Sequence, residues 1–566
     1  MLLRVLAVLV IVPVLARAQQ PVGLWGADLV VPGLRGELIV TQDGTEWSAT
    51  LAGHELGTQG SRDSVWVGER TRGGFLGHRR RDGALQGFWI QAPGLMTDAP
   101  YAAPLVLEQT GAAEWRGNVV PLEDRLTLFL EITRDTAGRL RAVFRNPEAN
   151  LRPGGSEFDV RRSGTDLSFR GLSSGGVRLI GRLDSVARTI TLNYPPLPDT
   201  IVLTARDRAT AVGFVPRTSR DPYAYGAPAA RDDGWRTAAA HDVGMDENRL
   251  ARLIQRVIDT DPAARDAPLI HSILVARHGK LVLEEYFYGF TADRPHALRS
   301  ASKTFVSIMA GELSLRPEMP VYALFRRYSD FAHPDPRKSK ITLGQLLTHS
   351  TGLACDDNDD GSPGNENTMQ SQTQQLDWYK YTLDLPVIHE PGSVYAYCSA
   401  TMNVAGGVLE AMSRVWLPEL FRRELAEPLG ITRWYMNLMP TGHGYAGGGM
   451  YLLPRDLLKI GQLYLDLGVW NGRRIVSKLW VEQSTDRQIS TPDGGSDGYA
   501  WHRNVLHTRT RDYKEYEANG NGGQLLMVVP ERDLVIVFTA GNYNQYAIWR
   551  KFREEMVPDG ILGAVK

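Results

Sequence analysis

The chain has 566 residues, which is long enough for two or three domains with substantial cores. Its 63 basic and 64 acidic residues nearly cancel, so its charge favours neither a nucleic-acid partner nor a polybasic membrane anchor. The 57 glycines and 13 tryptophans are typical of turn-rich β structure combined with helices. We therefore expect a multidomain protein that does not bind nucleic acid.

Residues 1–18 predict a secretory signal peptide. Arg4 gives a positive start, residues 5–15 are apolar, and Ala16-Arg17-Ala18 is a small-x-small cleavage motif. The apolar stretch is short for a membrane span, and no later stretch is long enough. We expect an exported mature protein, periplasmic or secreted, without a membrane span; an uncleaved anchor is the alternative.

Residues 20–205 predict a β-rich, barrel-like domain. Short segments alternate or run apolar between Gly, Asp and Asn, for example at 34–40, 126–132 and 189–192. A weak repeat of about 90 residues relates Trp25-Gly26 to Trp115-Arg116-Gly117, so the domain is predicted to contain two repeats. Many short antiparallel strands favour a barrel or sandwich.

Residues 206–236 are polar and rich in Arg, Asp and Pro, which predicts a linker. The pattern then changes over 237–566. Residues 247–258 have helical spacing, whereas 272–286 and 524–539 each predict a β-hairpin. Strands at both ends of a helical middle predict an α+β domain with one antiparallel sheet and helices packed on it.

Ser300-Ala301-Ser302-Lys303 and Tyr397 are the candidate catalytic residues. A serine and a lysine three positions apart lie on the same side of a helix. The lysine can therefore help to activate a hydroxyl that is otherwise a poor nucleophile. Together with a distant tyrosine, this arrangement predicts a serine hydrolase that does not use a catalytic histidine.

Several further motifs follow in chain order after Lys303. Over roughly 235–555 they resemble the serine β-lactamase and penicillin-binding-protein superfamily, on the class C β-lactamase side. The motifs are ITLGQLLTHSTGL at 341–353, Pro391-Gly392, Tyr397-Cys398-Ser399, Ala446-Gly447-Gly448-Gly449-Met450 and Pro454-Arg455-Asp456-Leu457.

This resemblance implies a role for each catalytic residue. Ser300 resembles the nucleophile that becomes acylated, and Lys303 resembles its activating partner. Tyr397 resembles the general base, whose proton affinity a neighbouring lysine ammonium would lower. Ser302 is the rival nucleophile, but its position next to Lys303 directs it elsewhere.

The resemblance also implies a substrate-binding strand after Gly520. Asn521, Gly522, Gly523 and Gln524 occupy this region, and we expect Gln524, or Gly523 next to it, to supply the second oxyanion N–H beside that of Ser300. Relatives often carry a lysine here, which Asn521 does not replace. This departure favours an ester or an uncharged amide over a β-lactam.

The tyrosine motif departs from many relatives at Ser399, where they carry asparagine; a serine can still donate a hydrogen bond. Cys355 and Cys398 are the two cysteines of the chain, and in an oxidising compartment they are a candidate disulfide. Two buried thiols are the alternative. The regions around both cysteines look most like 6-aminohexanoate-dimer hydrolases and related esterases.

We thus predict an exported serine hydrolase that acts through an acyl-enzyme on a small ester or amide. The alternatives are a β-lactamase or D-amino-acid peptidase acting on cell-wall-type amides, and a non-catalytic binding protein. We expect no cofactor and no metal; an acidic stretch from Asp356 resembles the start of a calcium loop but has Asn367 in place of the final glutamate. The segment between Lys303 and Ile341 is shorter than in relatives.

Overall fold

The structure is a computed structural model that describes residues 20–69, 72–95, 97, 99–150, 157–172, 176, 178–193, 200–328 and 330–566. The predicted signal peptide lies outside these residues. In the described part the chain forms two compact units: one comprises residues 20–27, 128–145 and 157–211, and the other comprises 28–127, 146–150 and 212–566. None of the helices in these ranges is long and apolar enough to cross a membrane.

The N-terminal region consists of β-strands, as the alternating sequence patterns predicted. The strands are β1 (Gly23–Val31), β2 (Gly36–Asp43), β3 (Glu46–Leu51), β4 (His54–Leu56), β5 (Thr58–Gly60), β6 (Ser64–Glu69), β7 (Gly73–Arg79), β8 (Leu85–Gln91), β9 (Tyr101–Gly111), β10 (Glu114–Val119), β11 (Asp124–Arg134), β12 (Leu140–Arg145), β13 (Glu157–Ser163), β14 (Asp166–Gly171), β15 (Arg178–Asp184), β16 (Thr189–Asn193) and β17 (Thr200–Arg206).

Strands β1 and β11 to β17 form a closed barrel. Consecutive strands pair antiparallel, and β17 pairs back onto β1 with Trp25 opposite Ala205. Alternate residues point inward, and the rings of Phe144, Phe158 and Phe169 meet inside the barrel at centroid distances of 5.6 to 6.3 Å. The barrel therefore has an aromatic core of its own.

Strands β2 to β10 form a second sheet in the order β4-β3-β2-β10-β9-β8-β7-β6-β5. Strand β10, which carries Trp115, pairs with both β2 and β9. The two strands that carry the tryptophans of the predicted repeat, β1 and β10, are thus exchanged between the barrel and the sheet. The strand with Trp25 precedes this sheet in the chain but completes the barrel, and the strand with Trp115 precedes β11 to β17 but completes the sheet.

The strands described after residue 235 that have six or more residues all belong to the central sheet, which also contains shorter strands. In chain order, the strands of this region are β18 (Arg236–Thr237), β19 (Ile270–Arg277), β20 (Lys280–Tyr286), β21 (His296–Ala297), β22 (Trp434–Asn437), β23 (Met450–Leu452), β24 (Val469–Trp470), β25 (Arg473–Arg474), β26 (Ile489–Ser490), β27 (Ser496–Asp497), β28 (His502–His507), β29 (Asp512–Gly520), β30 (Gln524–Val529) and β31 (Leu534–Ala540).

In chain order, the α-helices of this region occur between the first and the last strand of the central sheet or after its last strand. They are α1 (Glu247–Ile258), α2 (Lys303–Glu312), α3 (Leu343–Leu347), α4 (Glu366–Ser371), α5 (Trp378–Asp384), α6 (Ser399–Ser413), α7 (Leu417–Phe421), α8 (Pro454–Leu465), α9 (Lys478–Thr485) and α10 (Tyr546–Lys551). Short 3₁₀ turns include Arg299–Ser302, Tyr322–Phe325 and Pro336–Lys340, and Phe552–Ile561 is π-helical.

The central sheet has the order β18-β20-β19-β31-β30-β29-β28-β27-β26 and is antiparallel except where β18 joins it. The core on one face includes residues of α2, α6 and α8, and the core on the other includes residues of α1 and Phe552–Ile561. The α+β prediction is confirmed, including helix α1 and the hairpins β19–β20 and β30–β31. His278 and Gly279 turn the first hairpin with φ of +50° and +65°.

The predicted domain boundaries differ from the structure, because residues 28–127 belong to the same unit as the C-terminal region. Strand β9 pairs with β22, with Ala102 opposite Met436. The ring of Phe88 packs edge-on against Trp416 and Trp434 at 5.1 and 6.0 Å. These partners lie more than 300 residues apart in the sequence, so no local pattern could predict their contact.

The predicted linker at 206–236 is also attached to the sheet over part of its length. Tyr223 donates a hydrogen bond to Glu285 at 2.5 Å, and Tyr225 donates one to the carbonyl of Val282 at 2.7 Å. Both acceptors lie on β20, so this connection packs along a strand. The short segment before Ile341 packs in a similar way, since the Val321 N–H donates to the Ile341 carbonyl at 3.0 Å.

Candidate active site

Ser300 lies in the 3₁₀ turn Arg299–Ser302, which leads directly into α2. Arg299 has φ of +49°, an uncommon conformation for a residue with a side chain. A methyl group on Gly520 would lie 2.2 Å from the carbonyl oxygen of Leu298 and 3.1 Å from the nitrogen of Ala301. Because only glycine permits this approach, the end of β29 lies directly against the serine turn.

Lys303 is buried, with 4% of its surface exposed, and its ammonium group faces the serine. The Nζ atom donates a hydrogen bond to Ser300 Oγ at 2.8 Å. It also donates to the carbonyl oxygen of Gly447, a residue of the predicted AGGGM motif. The Lys303 side chain is therefore held by two partners: Ser300, three residues before it, and Gly447, 144 residues after it.

Tyr397 lies beside Lys303, whose Nζ is 5.0 Å from the centre of the phenol ring. The tyrosine is half-buried and its ring packs against His349 with a centroid distance of 4.6 Å. His349 in turn accepts a hydrogen bond at Nδ1 from the Cys398 N–H at 3.2 Å. The histidine thereby holds the tyrosine segment in place.

The electrostatics of the site keep Lys303 charged. Burial lowers the pKa of Lys303, but the phenol of Tyr397 and the carboxylates of Glu366 and Asp357 more than offset this, and the net pKa is raised. His349 behaves in the opposite way. Burial and the nearby Lys303 charge lower the pKa of His349 to about 3, so its ring is neutral. Lys303 is therefore a hydrogen-bond donor at neutral pH, which leaves the phenol oxygen of Tyr397 as the candidate proton acceptor.

Ser302 and Ser399 also lie close to these residues in the sequence. Ser302 donates its hydroxyl to the carbonyl of Arg299 at 2.6 Å, which removes it as a rival nucleophile. Ser399 is the first residue of α6 and is fully buried, and its hydroxyl has no partner among the described residues. Its backbone N–H, by contrast, donates to Asp357 at 2.7 Å.

Asp357 connects the pieces that support the tyrosine. Its two carboxylate oxygens accept from the N–H groups of Glu366 and Ser399, at 2.8 and 2.7 Å, and its own N–H donates to the Tyr397 carbonyl at 2.8 Å. Cys355 and Cys398 form a disulfide next to it, with Cα atoms 5.6 Å apart. One carboxylate and one covalent bond thus tie the acidic loop to Tyr397.

The turn after β29 follows Gly520, the residue that lies against the serine turn. The Gly523 N–H donates to the Gly520 carbonyl at 3.2 Å, and Gln524 pairs with Gly520 in the sheet. The Gln524 side chain donates to the Ala540 carbonyl at 2.7 Å. The Gly523 N–H is therefore engaged within the turn, whereas the prediction that the backbone N–H of Gln524 is the second donor stays a prediction. Among the described residues the N–H of Asn521 has no acceptor.

Sequence reasoning missed three charged neighbours of the site. Asp357 and Glu366 belong to the acidic stretch from Asp356, for which the sequence predicted no role in the site, although its position beside Cys355 was a signal. Arg299 directly precedes Ser300, is exposed, and lies 5.0 Å over the ring of Tyr543. Glu366 accepts a hydrogen bond from Tyr445 at 2.5 Å.

The acidic loop is organised by an amide. Asn365 Nδ2 donates to the carbonyls of Asp356, Asp357 and Asp359 at 3.2 to 3.4 Å, so these oxygens already have a donor. Within the ranges that the structure describes, no group of three or more His, Cys, Asp or Glu side chains could hold a metal ion.

A serine hydroxyl bonded to a buried lysine, with a tyrosine beside that lysine, defines a serine hydrolase of the serine–lysine–tyrosine class. Residues 254–547, just over half of the chain, match the family model described as Beta-lactamase. The chain therefore belongs to the beta-lactamase family.

The most informative relatives are hydrolases. The chain is similar to the 6-aminohexanoate-dimer hydrolase of Paenarthrobacter ureafaciens, at 26% identity over 314 residues, covering 51% of this chain and 76% of that protein. It is also similar to the Unguisins hydrolase ungD of Aspergillus violaceofuscus (strain CBS 115571), at 29% identity over 136 residues, covering 22% of this chain and 23% of that protein. A solved family VIII carboxylesterase aligns with a TM-score of 0.42 and 16% identity, covering 55% of this chain and 94% of that one.

Proposed function

We propose that the protein hydrolyses a small ester or uncharged amide through an acyl-enzyme on Ser300. The observation that carries this proposal is the 2.8 Å hydrogen bond from the buried Lys303 ammonium to the Ser300 hydroxyl, beside the ring of Tyr397. A charged lysine in this position lowers the cost of forming an alkoxide at Ser300.

The chemistry follows from these positions. Ser300 Oγ attacks the carbonyl carbon of the substrate while its proton moves to the phenolate of Tyr397. The C–O or C–N bond to the leaving group then breaks, and Tyr397 returns the proton to the departing alcohol or amine. Water next attacks the acyl-enzyme, again losing its proton to Tyr397, and the acid is released as Ser300 regains its hydrogen.

The negative oxygen formed in each addition step needs two hydrogen-bond donors. We assign these to the N–H of Ser300 and the N–H of Asn521. Ser300 lies at the start of a helical turn, where N–H groups lack partners within the helix. Asn521 directly follows Gly520, which touches the serine turn, and its N–H has no acceptor in the described part of the chain.

The preference for an uncharged substrate is supported by the residues at the end of β29. The side chain of Asn521 is neutral and is bonded to Asn544 by two hydrogen bonds of 2.8 Å. Arg299 is the nearby cation, but its guanidinium lies over the Tyr543 ring. No lysine stands at this position to hold the carboxylate of a β-lactam.

Hydrolysis of p-nitrophenyl butyrate by the wild type and by Ser300→Ala tests the chemistry. We expect turnover in the wild type and its loss in Ser300→Ala. Ser302→Ala is the matched control, because it removes the same hydroxyl group two residues further along the chain, where it is bonded to the Arg299 carbonyl, and it should retain activity. A fluorophosphonate adduct located by peptide mass spectrometry should lie on Ser300. Equal activity in Ser300→Ala and the wild type would overturn the proposal.

Substrate preference is tested by comparing this ester with nitrocefin and with a neutral amide such as the p-nitroanilide of butyric acid. We expect a higher kcat/KM for the ester than for nitrocefin. A kcat/KM for nitrocefin equal to or above that of the ester would favour a β-lactamase instead. Absence of turnover on every substrate and of any adduct would favour a binding protein.

We also propose that the protein is exported. The charged, apolar and small-x-small order of residues 1–18 supports this, as does a disulfide next to the site, since such bonds persist in oxidising compartments. N-terminal sequencing of the protein from periplasmic and medium fractions should give a start near residue 19. A full-length protein confined to the cytoplasm would contradict this.

A further inference from the structure

A cavity of about 630 Å³ is lined by α1, by the loop at 508–510, by the turn at Arg532 and by the C-terminal residues 558–565. Five arginines surround it, and Asp559 is the carboxylate in its lining. We call this site the arginine pocket; its arginines are Arg249, Arg252, Arg256, Arg509 and Arg532.

Helix α1 presents three of these arginines on one side. Arg249, Arg252 and Arg256 are spaced at i, i+3 and i+7 and are exposed. The opposite side of the helix, with Leu250 and Ile254, is buried in the core. The helix is thus fixed by its apolar side, and Arg249, Arg252 and Arg256 on its other side line the cavity.

The arginines outnumber the carboxylates around them: the lining holds five arginines and Asp559, and Asp246 also interacts electrostatically with Arg252. In the part of the chain that the structure describes, none of them lies within ion-pairing distance of a carboxylate, whereas Arg511 beside the pocket pairs with Glu531 at 3.0 Å. Arg532 donates to the Tyr513 hydroxyl, but its Nε is buried without an acceptor. Cations held together in this way repel one another, and a bound anion would offset that cost.

The lining also indicates what kind of anion fits. Leu253, Leu562 and Val565 supply an apolar floor, and the volume is typical of sites for small organic molecules. Guanidinium groups bind phosphate oxygens in pairs, and several of them favour a multiply charged ligand. A single small anion would leave most of the arginines and the floor unused.

We propose that the arginine pocket binds a phosphorylated organic molecule with at least two negative charges. The site shares no lining residue with the Ser300 site, so it is a second binding site of the protein. The phosphate is carried either by a free metabolite or by a lipid headgroup, and the two sources share the same chemistry.

The test uses pyrophosphate and vesicles as probes. Titration calorimetry with pyrophosphate measures the free-ligand case, and co-sedimentation with phosphatidylcholine vesicles with or without 20 mol % phosphatidic acid measures the headgroup case. The variant is Arg252→Gln with Arg256→Gln; both residues are exposed, so the fold should persist. Arg220→Gln with Arg265→Gln is the matched control, because both residues are exposed, outside the pocket, and change the net charge equally.

We expect the pocket variant to weaken binding of pyrophosphate or of acidic vesicles at least 10-fold, while the control variant binds as the wild type does. Binding of pyrophosphate alone identifies a free ligand, and binding only of acidic vesicles identifies a headgroup. No binding to either probe overturns the proposal. An equal loss in both variants also overturns it, because net charge would then explain the binding. Ester hydrolysis by each variant serves as the check that it is folded.

Discussion

At the scale of single residues, the proposed mechanism gives different roles to Lys303, which stays charged, and to Tyr397, which exchanges the proton. Lys303 is buried and bonded to Ser300, and its raised pKa keeps it an ammonium group. A charged lysine cannot accept the serine proton. In the proposed mechanism the phenolate oxygen of Tyr397, next to that charge, accepts this proton instead.

Tyr397→Phe removes this proton acceptor without removing the ring that packs on His349. We expect kcat for p-nitrophenyl butyrate to fall roughly 100- to 10,000-fold, the usual range for a general base, with little change in the unfolding temperature. Tyr395→Phe is the control, because Tyr395 also lies near His349, at 6.0 Å, and should retain most activity. Activity of Tyr397→Phe close to the wild type would exclude the role.

Asp357→Asn tests the support of the tyrosine. An amide offers one acceptor oxygen where the carboxylate offers two, so one of the two N–H groups, of Glu366 or Ser399, loses its partner. We expect the free energy of unfolding to fall by about 1–3 kcal/mol and kcat to fall with it. Asp360→Asn, an exposed change in the same loop, should leave both unchanged. Denaturant unfolding and steady-state kinetics measure the two effects.

At the scale of elements, β29 has two very different faces. Ala518 and Gly520 lie on the buried side towards the serine turn, whereas Glu515 and Glu517 point to the other face, where Arg553 donates to Glu517 at 2.8 Å. Glu515 is 3% exposed, and its carboxylate oxygens have no hydrogen-bond partner among the described residues. Burial and the Glu517 charge raise the pKa of Glu515 well above its ordinary value.

This element makes the stability of the protein depend on pH. Because Glu515 stays protonated in the folded state, the folded state binds one proton more than the unfolded state at pH values above the ordinary glutamate pKa of about 4.3. The contribution of Glu515 is therefore fully present below that pH. It declines by about 1.4 kcal/mol per pH unit as pH rises towards the pKa of the folded state.

Glu515→Gln replaces the protonated acid by a neutral group of the same shape and should remove this decline. We expect similar unfolding free energies for wild type and variant near pH 4, and a more stable variant at pH 8. Glu555→Gln, an exposed change, should follow the wild type at every pH. Chemical denaturation at several pH values measures the difference, and parallel curves for wild type and Glu515→Gln would contradict the argument.

At the scale of the whole molecule, residues 28–127 are part of the hydrolase unit, whereas the closed barrel has its own core. Phe88 and Phe144 are each 4% exposed, but Phe88 packs against Trp416 and Trp434 and Phe144 packs against Phe158 inside the barrel. Substitution of these two phenylalanines therefore distinguishes the units.

Phe88→Ala should destabilise the hydrolase unit by about 3–5 kcal/mol, because a buried ring is lost and a cavity remains. The temperature of half-inactivation of ester hydrolysis should fall accordingly. Phe144→Ala removes an equally buried ring from the barrel and should leave that temperature unchanged. If both variants inactivated at the same lowered temperature, the two units would not be energetically separate.

The sequence alone determined the parts of this protein that rest on local signals. These parts follow from residues that are close together in the chain. They are helix α1, the hairpins β19–β20 and β30–β31, the order of the family motifs, and the spacing that brings Lys303 to Ser300. Hydrophobic period, turn residues and the i, i+3 relation act over a few residues and can be recognised without knowledge of the fold.

The tertiary structure decided what depends on distant partners. Three features join segments that are far apart in the chain: the exchange of β1 and β10, the pairing of β9 with β22, and the meeting of Asp357 with α6. A fourth feature, the availability of the Asn521 N–H rather than that of Gly523, depends on which N–H groups find an acceptor. The physical reason is that many distant pairings satisfy the same local pattern equally well. Only burial of the whole chain, with each polar backbone group satisfied, selects among them.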